Sequence, residues 1–284
     1  MSKKKVTWPL RLLKWLESGL LYATLIVGAV IMAFPFYWMI TTAFKSYAES
    51  VAVPPVIVPT RWLWENFNEA WHAAPFPRYF LNTIIMATGS TAGTLFTGLL
   101  AGYAFARMRF FGKNVLFLMF LATMMIPFEV TLIPDFLIIR TLRWYNTFAA
   151  LIVPWTASVF SIFLLRQFFM SMPRELYEAT LLDGGNHWQF LWRVALPLAV
   201  PAMITVAIFS FLGSWNSLLW PLIVTSKPTL RPIQVGLSAF QGEAGSYYNL
   251  LMAGATLAIL PVDILFLIAQ RQFVEGIARS GIKG

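Results

Sequence analysis

The chain contains no cysteine. That excludes a disulfide framework, a thiol nucleophile and any cysteine-ligated metal site. Histidine is nearly as scarce, with only His72 and His187 present. Two are too few for a His-rich metal centre or for obvious acid–base catalysis. Neither a His-Glu-x-x-His sequence nor a Gly-x4-Gly-Lys-Ser/Thr phosphate loop occurs. No catalytic residue and no metal ligand is therefore expected, and any ATP hydrolysis must happen on another chain. Charge is sparse as well: 12% of residues are Asp, Glu, Lys or Arg, against about 25% in soluble domains.

Apolar residues fill the space that charge leaves. They make up 58% of the chain and cluster in six segments, at about 20–42, 80–106, 115–138, 148–165, 198–224 and 250–269. Each reaches the length that a helix needs, at roughly 1.5 Å per residue, to span a bilayer core; the fourth is the shortest. Lipid offers no partners to the backbone, so the segments are expected to be helices. The expected fold is an all-α, multi-pass membrane protein with six transmembrane helices, a single domain over 1–284. Lys3, Lys4 and Lys5 precede the first segment as in a secretory signal. That apolar run is too long for a signal, however, and no small-residue cleavage pattern follows it, so it reads as a retained anchor.

Basic residues set the topology. With the N-terminus inside and six crossings, fourteen Lys and Arg fall inside, among them Lys14, Arg107, Arg109, Lys113, Arg166, Arg174 and Arg193. Seven fall outside: Lys45, Arg61, Arg78, Arg140, Arg143, Lys227 and Arg231. The positive-inside rule therefore puts both termini in the cytoplasm. The same bias explains a net charge of +9 without any nucleic-acid partner. The outer loop at 44–78 carries Pro54, Pro55 and Pro59, which extend it. It then carries Trp62, Trp64 and Trp71, which suit a membrane–water interface.

The inner loop at 167–197 is the most informative stretch. Pro173 is placed to open a helix, because the first turn needs no amide donor. Glu175 and Glu178 sit where a helix N-terminus favours negative charge. Gly184 and Gly185 permit a tight turn. Asn186 and Gln189 have the spacing of a capping box, and Pro197 marks the entry to the fifth segment or the end of a second helix. The expectation is a helix–turn–helix at 173–197. It is longer than a connection needs to be, and its apolar residues Leu176, Tyr177, Leu181, Trp188, Leu191 and Trp192 must bury against something. The membrane interface and a partner protein both fit.

The spacing of Glu178, Ala179, Gly184, Leu196 and Pro197 resembles the EAA motif of binding-protein-dependent ABC permeases, with Asp183 in its common Asp-Gly form. Thr180 stands for the motif's second alanine and Val194 for its isoleucine. Further stretches are similar to the maltose-type carbohydrate permeases: Thr42-Ala-Phe-Lys45, Glu65-Asn-Phe, Asn82-Thr, Ala101-Gly-Tyr-Ala-Phe-Ala-Arg107, Trp215-Asn216 and Gln270-Arg-Gln-Phe-Val-Glu-Gly276. The tail is similar to that of the smaller subunit of the pair. The resemblance implies a type I importer permease fold in a bacterial inner membrane. It also implies a second permease subunit, a dimer of ABC ATPases that uses ATP and Mg, and an extracytoplasmic solute-binding protein. Glu178, Ala179, Thr180, Asp183, Gly184, Gly185, Leu196 and Pro197 would couple this chain to the ATPase. No cofactor is expected on this chain itself.

Within the membrane segments, Gly89-x-x-x-Gly93 and Gly98-x-x-x-Gly102 suit close helix packing. Ser210, Gly213, Ser214 and Ser217 share one helical stripe, which should face protein or a wet cavity rather than lipid. Glu129 and Asp263 lie in apolar runs, where a central charge costs roughly 2.5–3.5 kcal/mol on insertion scales. Solute contact, an interhelical hydrogen bond or a place near a helix end would each account for them. Trp215 and Asn216 offer a ring face and an amide suited to a sugar, or serve in packing. A secondary transporter or channel would leave the 173–197 motif unexplained, and an intramembrane enzyme lacks its residues. The six-crossing topology predicts that a cysteine introduced at position 60 reacts with an impermeant thiol reagent in sealed, right-side-out cells, while one at 112 does not. The opposite labelling would overturn it.

Overall fold

The computed structural model describes residues 8–242 and 245–281. Its helices are, in order, α1 (Trp8–Ala43), α2 (Tyr47–Ser50), α3 (Glu65–Ala73), α4 (Phe76–Arg107), α5 (Lys113–Thr123), α6 (Phe128–Thr141) and α7 (Phe148–Ile152). There follow α8 (Val159–Ser171), α9 (Glu175–Leu182), α10 (His187–Phe190), α11 (Leu196–Trp215), α12 (Leu219–Val224), α13 (Ile233–Ser238) and α14 (Tyr248–Gly281). The β-structure among the described residues is one antiparallel pair, Gln241–Gly242 with Gly245–Ser246. Five stretches are long and apolar enough to cross a membrane: 15–43, 76–107, 148–171, 187–215 and 248–268. A sixth is reached if the α5–α6 pair counts as one span.

That pair departs from the expected continuous helix at 115–138. The chain bends by 100° between α5 and α6. Pro127 precedes α6 and has no amide to continue the α5 ladder. The fourth segment is interrupted too, by a 3₁₀ turn at Val153–Trp155 that contains Pro154. Its freed carbonyls are taken up by α4: Thr94 Oγ1 donates to Trp155 O at 2.7 Å, and Thr97 Oγ1 donates to Thr156 O. Such side-chain bonds are what make a broken helix tolerable at membrane depth.

Contacts divide the chain into two units, Met1–Ala70 with Phe240–Leu257, and Trp71–Ala239 with Ala258–Gly284. In the first, Trp15–Tyr37 of α1 is exposed and apolar over most of its length. A buried knot follows it. Lys45 is fully buried, with Nζ 3.1 Å from Thr42 Oγ1 and 3.8 Å from the Trp38 ring centroid. Burial pushes this ammonium's pKa down, against an opposing pull from Glu49. Asn66 Nδ2 donates to the carbonyls of Ala43 and Lys45, both at 2.8 Å. Ser46 and Glu49 form a capping box. Hydrogen bonds from the Thr60 hydroxyl and from the amides of Ser46 and Thr60 hold the Glu49 carboxyl down at about 2. Trp62 and Trp64 pack edge-on against Phe44, at 4.9 and 4.7 Å, while keeping half or more of their surface exposed.

In the second unit, α4 packs against α8 and α11. Of the two glycine pairs of α4, Gly98 and Gly102 lie against α8, while Gly89 and Gly93 lie against Ile152 of α7 and Thr156, so both serve close packing as their spacing leads one to expect. A Cβ at Gly98 would meet Ser161 and Leu165 at 3.3 Å, and one at Gly102 would meet Leu165 Cβ at 3.0 Å and the Arg166 amide at 3.1 Å. A Cβ at Gly89 would meet Ile152 at 2.9 Å, and one at Gly93 would collide with Thr156. At the other end of α4, Asn82 Nδ2 donates to the carbonyls of Thr229 and Arg231. Thr83 Oγ1 accepts the Ile233 amide at 2.8 Å. The Asn82-Thr83 pair thus ties the segment before α13 to α4.

The α4–α8 contact has little room for a side chain at Gly102. Gly102→Val should therefore lower the thermal midpoint of the solubilised protein, at an overpacking cost of about 1–3 kcal/mol. Gly213→Ala, with nothing within 4 Å of the added methyl, should leave the midpoint unchanged or slightly raised. Equal melting of both variants and wild type would contradict close α4–α8 packing.

Candidate functional site

Two features of the second unit have functional geometry. The first is the 173–197 loop. Pro173 and Arg174 lie ahead of α9, which begins at Glu175, so the proline stands just outside the helix rather than opening it. The helix ends in a Schellman cap: Gly184 N donates to Leu181 O at 3.0 Å and Gly185 N to Thr180 O at 2.8 Å. Gly184 has a φ of +75°, a conformation that suits glycine and strains any L side chain. A Cβ on Gly185 would stand 2.6 Å from Thr180 Cγ2, so the two glycines are needed for different reasons, one for backbone angle and one for space. Asn186 and Gln189 form the expected reciprocal capping box, with both bonds at 3.0 Å. A π-helical turn, Leu191–Ala195, then leads into α11. Pro197 lies in the first turn of α11 and so marks an entry, not an end.

The loop has one face held and one face open. Phe190, Leu191 and Ala195 are buried in a cluster with Tyr103 of α4 and Leu165 and Phe169 of α8. His187 fastens the turn to this cluster. Its Nδ1 shares a 2.9 Å hydrogen bond with the Tyr103 hydroxyl, and its Nε2 another of 2.9 Å with the Tyr177 hydroxyl of α9. Arg107, at the end of α4, donates from Nη2 to Met172 O at the loop's start. The open face presents Leu176, Leu181, Leu182 and Trp188, with Leu182 89% exposed. Glu178, Ala179, Asp183 and Gly184 are exposed beside them, while Thr180 and Leu196 are half-buried and Pro197 is exposed.

The second feature is a cavity of about 440 Å³. Met86, Ser90 and Thr94 of α4 form one wall, and Phe128 and Glu129 at the start of α6 another. Leu151, Trp155, Ser158 and Ser161 reach it from the broken α7–α8 stretch. Ser210, Gly213, Ser214 and Ser217 supply a polar stripe along and just beyond α11, which gives those four residues the wet surface that their spacing implies. Ser90 is 1% exposed, and its hydroxyl has no hydrogen-bond partner among the described residues. Trp155 is partly exposed and stands edge-on to Trp220, which is itself fixed by a 2.8 Å bond from Nε1 to Ala150 O.

The four residues read from the sequence as solute-path candidates separate here. Glu129 lines the cavity. Trp215 is buried to 1%, donates from Nε1 to Ala258 O at 3.2 Å and stacks on Phe211. Asn216 is an exposed C-cap of α11, and Asp263 is exposed on α14; neither is in the cavity wall. The sequence reading passed over Ser90, Trp155 and the tyrosine clasp of His187. Ser90 sits in a run of small residues that reads as packing, and the clasp joins residues brought together only by the turn at Gly184 and by α4.

Comparison with known proteins gives the family. The sequence profile of the family described as "Binding-protein-dependent transport system inner membrane component" matches residues 93–279. The chain is 32% identical over 267 residues to the sn-glycerol-3-phosphate transport system permease protein UgpE of Yersinia enterocolitica, covering 91% of this chain and 95% of that one. It is 34% identical over 274 residues to the probable ABC transporter permease protein YurM of Bacillus subtilis, covering 95% and 91% respectively. Its fold matches a chain from the crystal structure of a bacterial ABC transporter that imports the acidic polysaccharide alginate, with a TM-score of 0.79 at 22% identity over 95% of this chain and 99% of that one. With that profile matching residues 93–279 and relatives more than 30% identical over nearly its whole length, the chain belongs to the family of inner-membrane components of binding-protein-dependent transport systems.

Proposed function

We propose that this permease subunit carries a carbohydrate-like or polyol solute inward by alternating access, driven by ATP hydrolysed with Mg on a separate pair of ATPase subunits. A second permease subunit completes the pathway, and an extracytoplasmic binding protein delivers the solute. Both termini then face the cytoplasm, and the loop at 173–197 is the part that meets the ATPase. A solved structure of the alginate ABC transporter in complex with a periplasmic protein, whose fold this chain matches at a TM-score of 0.70, supports the binding-protein partner. The exposed apolar length of α1 suits lipid or the second permease subunit.

One observation carries the proposal. The loop exposes Leu176, Leu181, Leu182 and Trp188 while its opposite face is fastened through His187 to α4. A movement imposed on the open face is therefore passed to a membrane-spanning helix. A loop that only connected α8 to α11 would need neither the open apolar face nor the clasp.

The coupling role predicts an order of severity. Gly184→Val forces a β-branched side chain into a left-handed conformation, at roughly 1–2 kcal/mol. It should insert at a normal level but lose transport and solute-stimulated ATP hydrolysis in the reconstituted complex. Glu178→Gln should be mild, because an exposed ion pair contributes only about 0–1 kcal/mol. Full coupling in Gly184→Val would sink the assignment. The clasp makes a separate prediction. His187→Ala should keep the ATPase in the purified complex but lower the solute-stimulated fraction of its hydrolysis severalfold, and Tyr103→Phe should fall between that variant and wild type. Wild-type stimulation in His187→Ala would show that the clasp transmits nothing.

A further inference from the structure

The turn between α4 and α5 gathers positive charge without a counter-charge. Arg107, Arg109 and Lys113 lie on it, and Arg166 of α8 reaches its start. No Asp or Glu occurs between Glu69 and Glu129, or between Asp135 and Glu175, so neither the turn nor α8 supplies a carboxylate. Three of the four cations are held by carbonyl oxygens instead. Lys113 Nζ donates to Ala106 O at 3.2 Å and to Met108 O at 3.0 Å, Arg166 Nε donates to Phe105 O at 3.3 Å, and Arg107 Nη2 donates to Met172 O. Cations suit the free carbonyls at a helix C-terminus, which accounts for Lys113 and Arg166 at the end of α4. A carbonyl satisfies a donor but does not neutralise its charge. Arg109 is exposed, and its side chain has no hydrogen bond or ion pair among the described residues.

Arg109 and Lys113 line an open pocket of about 360 Å³ together with Met108, Phe110, Asn114 and Val115, and no carboxylate is in its wall. The surroundings of the pocket are apolar and uncovered. Phe111, at the tip of the turn, is fully exposed. Val115, Leu118 and Met119 of α5 are exposed too, and their spacing of three and four residues puts them on one strip of the helix. The turn joins the spanning helix α4 to the first half of the bent α5–α6 pair. It therefore lies at a membrane surface, with the strip leading from it into hydrocarbon. A soluble acidic partner would match the charge and leave the strip unmatched. A phospholipid with an anionic headgroup matches both, because its phosphate takes guanidinium and ammonium donors and its acyl chains take the apolar strip. An aromatic side chain beside basic ones suits the boundary between headgroups and chains.

We propose that the α4–α5 turn binds an anionic phospholipid of the cytoplasmic leaflet, with the headgroup held by Arg109 and Lys113 and the chains lying along Val115, Leu118 and Met119. The leaflet rests on the topology proposed above, whereas the headgroup preference and the strip do not.

The absence of cysteine from the chain allows a single probe on the strip. Leu118→Cys, alone and with Arg109→Gln, would be labelled with bimane in an assembled complex whose other subunits lack cysteine, and placed in phosphatidylcholine nanodiscs. Arg109→Gln is chosen because it leaves the carbonyl contacts of Lys113 and Arg166 intact. The discs would contain, at equal mole fraction, either phosphatidylglycerol or phosphatidylcholine with a nitroxide on the acyl chain near the headgroup. The expected result is quenching by the phosphatidylglycerol probe at about fivefold lower concentration than by the phosphatidylcholine probe, the factor that one cation contributes near an anionic surface. In the Arg109→Gln background the two should come within about twofold of each other, at unchanged solute-stimulated ATP hydrolysis. Equal quenching by both lipids without the Arg109 substitution overturns the proposal, as does a preference that survives it. Quenching by neither lipid would show that a partner subunit covers the strip, and overturns it as well. Failure of the topology looks different: an impermeant thiol reagent that reaches position 112 from outside the cell refutes the leaflet, whatever the lipid preference.

Discussion

The close approach of α4 and α8 is the contact on which both functional features depend. It exists because glycines at 98 and 102 let the Ser161–Arg166 stretch of α8 lie against the α4 backbone. At one end of this contact, Thr94 and Thr97 of α4 take up the carbonyls left free where the helix before α8 breaks, which sets Trp155 and Ser161 in the cavity wall. At the other end, Tyr103 and Arg107 of α4 hold His187 and Met172, the two points from which the 173–197 loop hangs. One helix pair thus places the space that a solute could occupy and the surface that a motor could push.

The breaks in the helices follow the same constraint. A backbone group left unpaired in hydrocarbon costs several kcal/mol, so an interrupted helix survives only where side chains or cavities satisfy it. Around the 3₁₀ turn at Val153–Trp155 the threonines of α4 do so. At the bend between α5 and α6, the first residues of the new helix, Phe128 and Glu129, border the cavity. Interruption and cavity therefore coincide for a physical reason: irregular backbone is tolerated where it is buried in protein or lines a cavity.

The sequence was most legible where the physics is local. Five of the six spanning stretches, the glycine spacing of α4, the serine stripe along and just beyond α11 and the Asn186–Gln189 capping box each rest on periodicity or on contacts within four residues, and each appears in the structure. The bend at Pro127 was missed because a proline inside an apolar run fits a kink as well as a break. Trp215 and Asn216 looked like a sugar-binding pair by residue type, but the direction of a side chain at a helix end depends on its neighbours. There, Phe80, Phe211 and the Ala258 carbonyl take the indole. Ser90 and His187 were silent for the same reason, since their partners or lack of them come from distant elements. The resemblance motifs, by contrast, acquire causes in long-range contacts: Lys45 and Asn66 form one knot, and Asn82 and Thr83 tie down the chain before α13.

The central claim is that the open face of the 173–197 loop is the point of contact with the ATPase. A photo-activatable cross-linker in place of Leu182, the most exposed apolar residue of that face, tests it directly in the assembled complex. The expected product joins this subunit to the ATPase, while the same probe at Leu142, which the charge distribution puts on the opposite side of the membrane, gives none. A cross-link to the ATPase from position 142, or none from 182 in a complex that contains the ATPase, would contradict the claim.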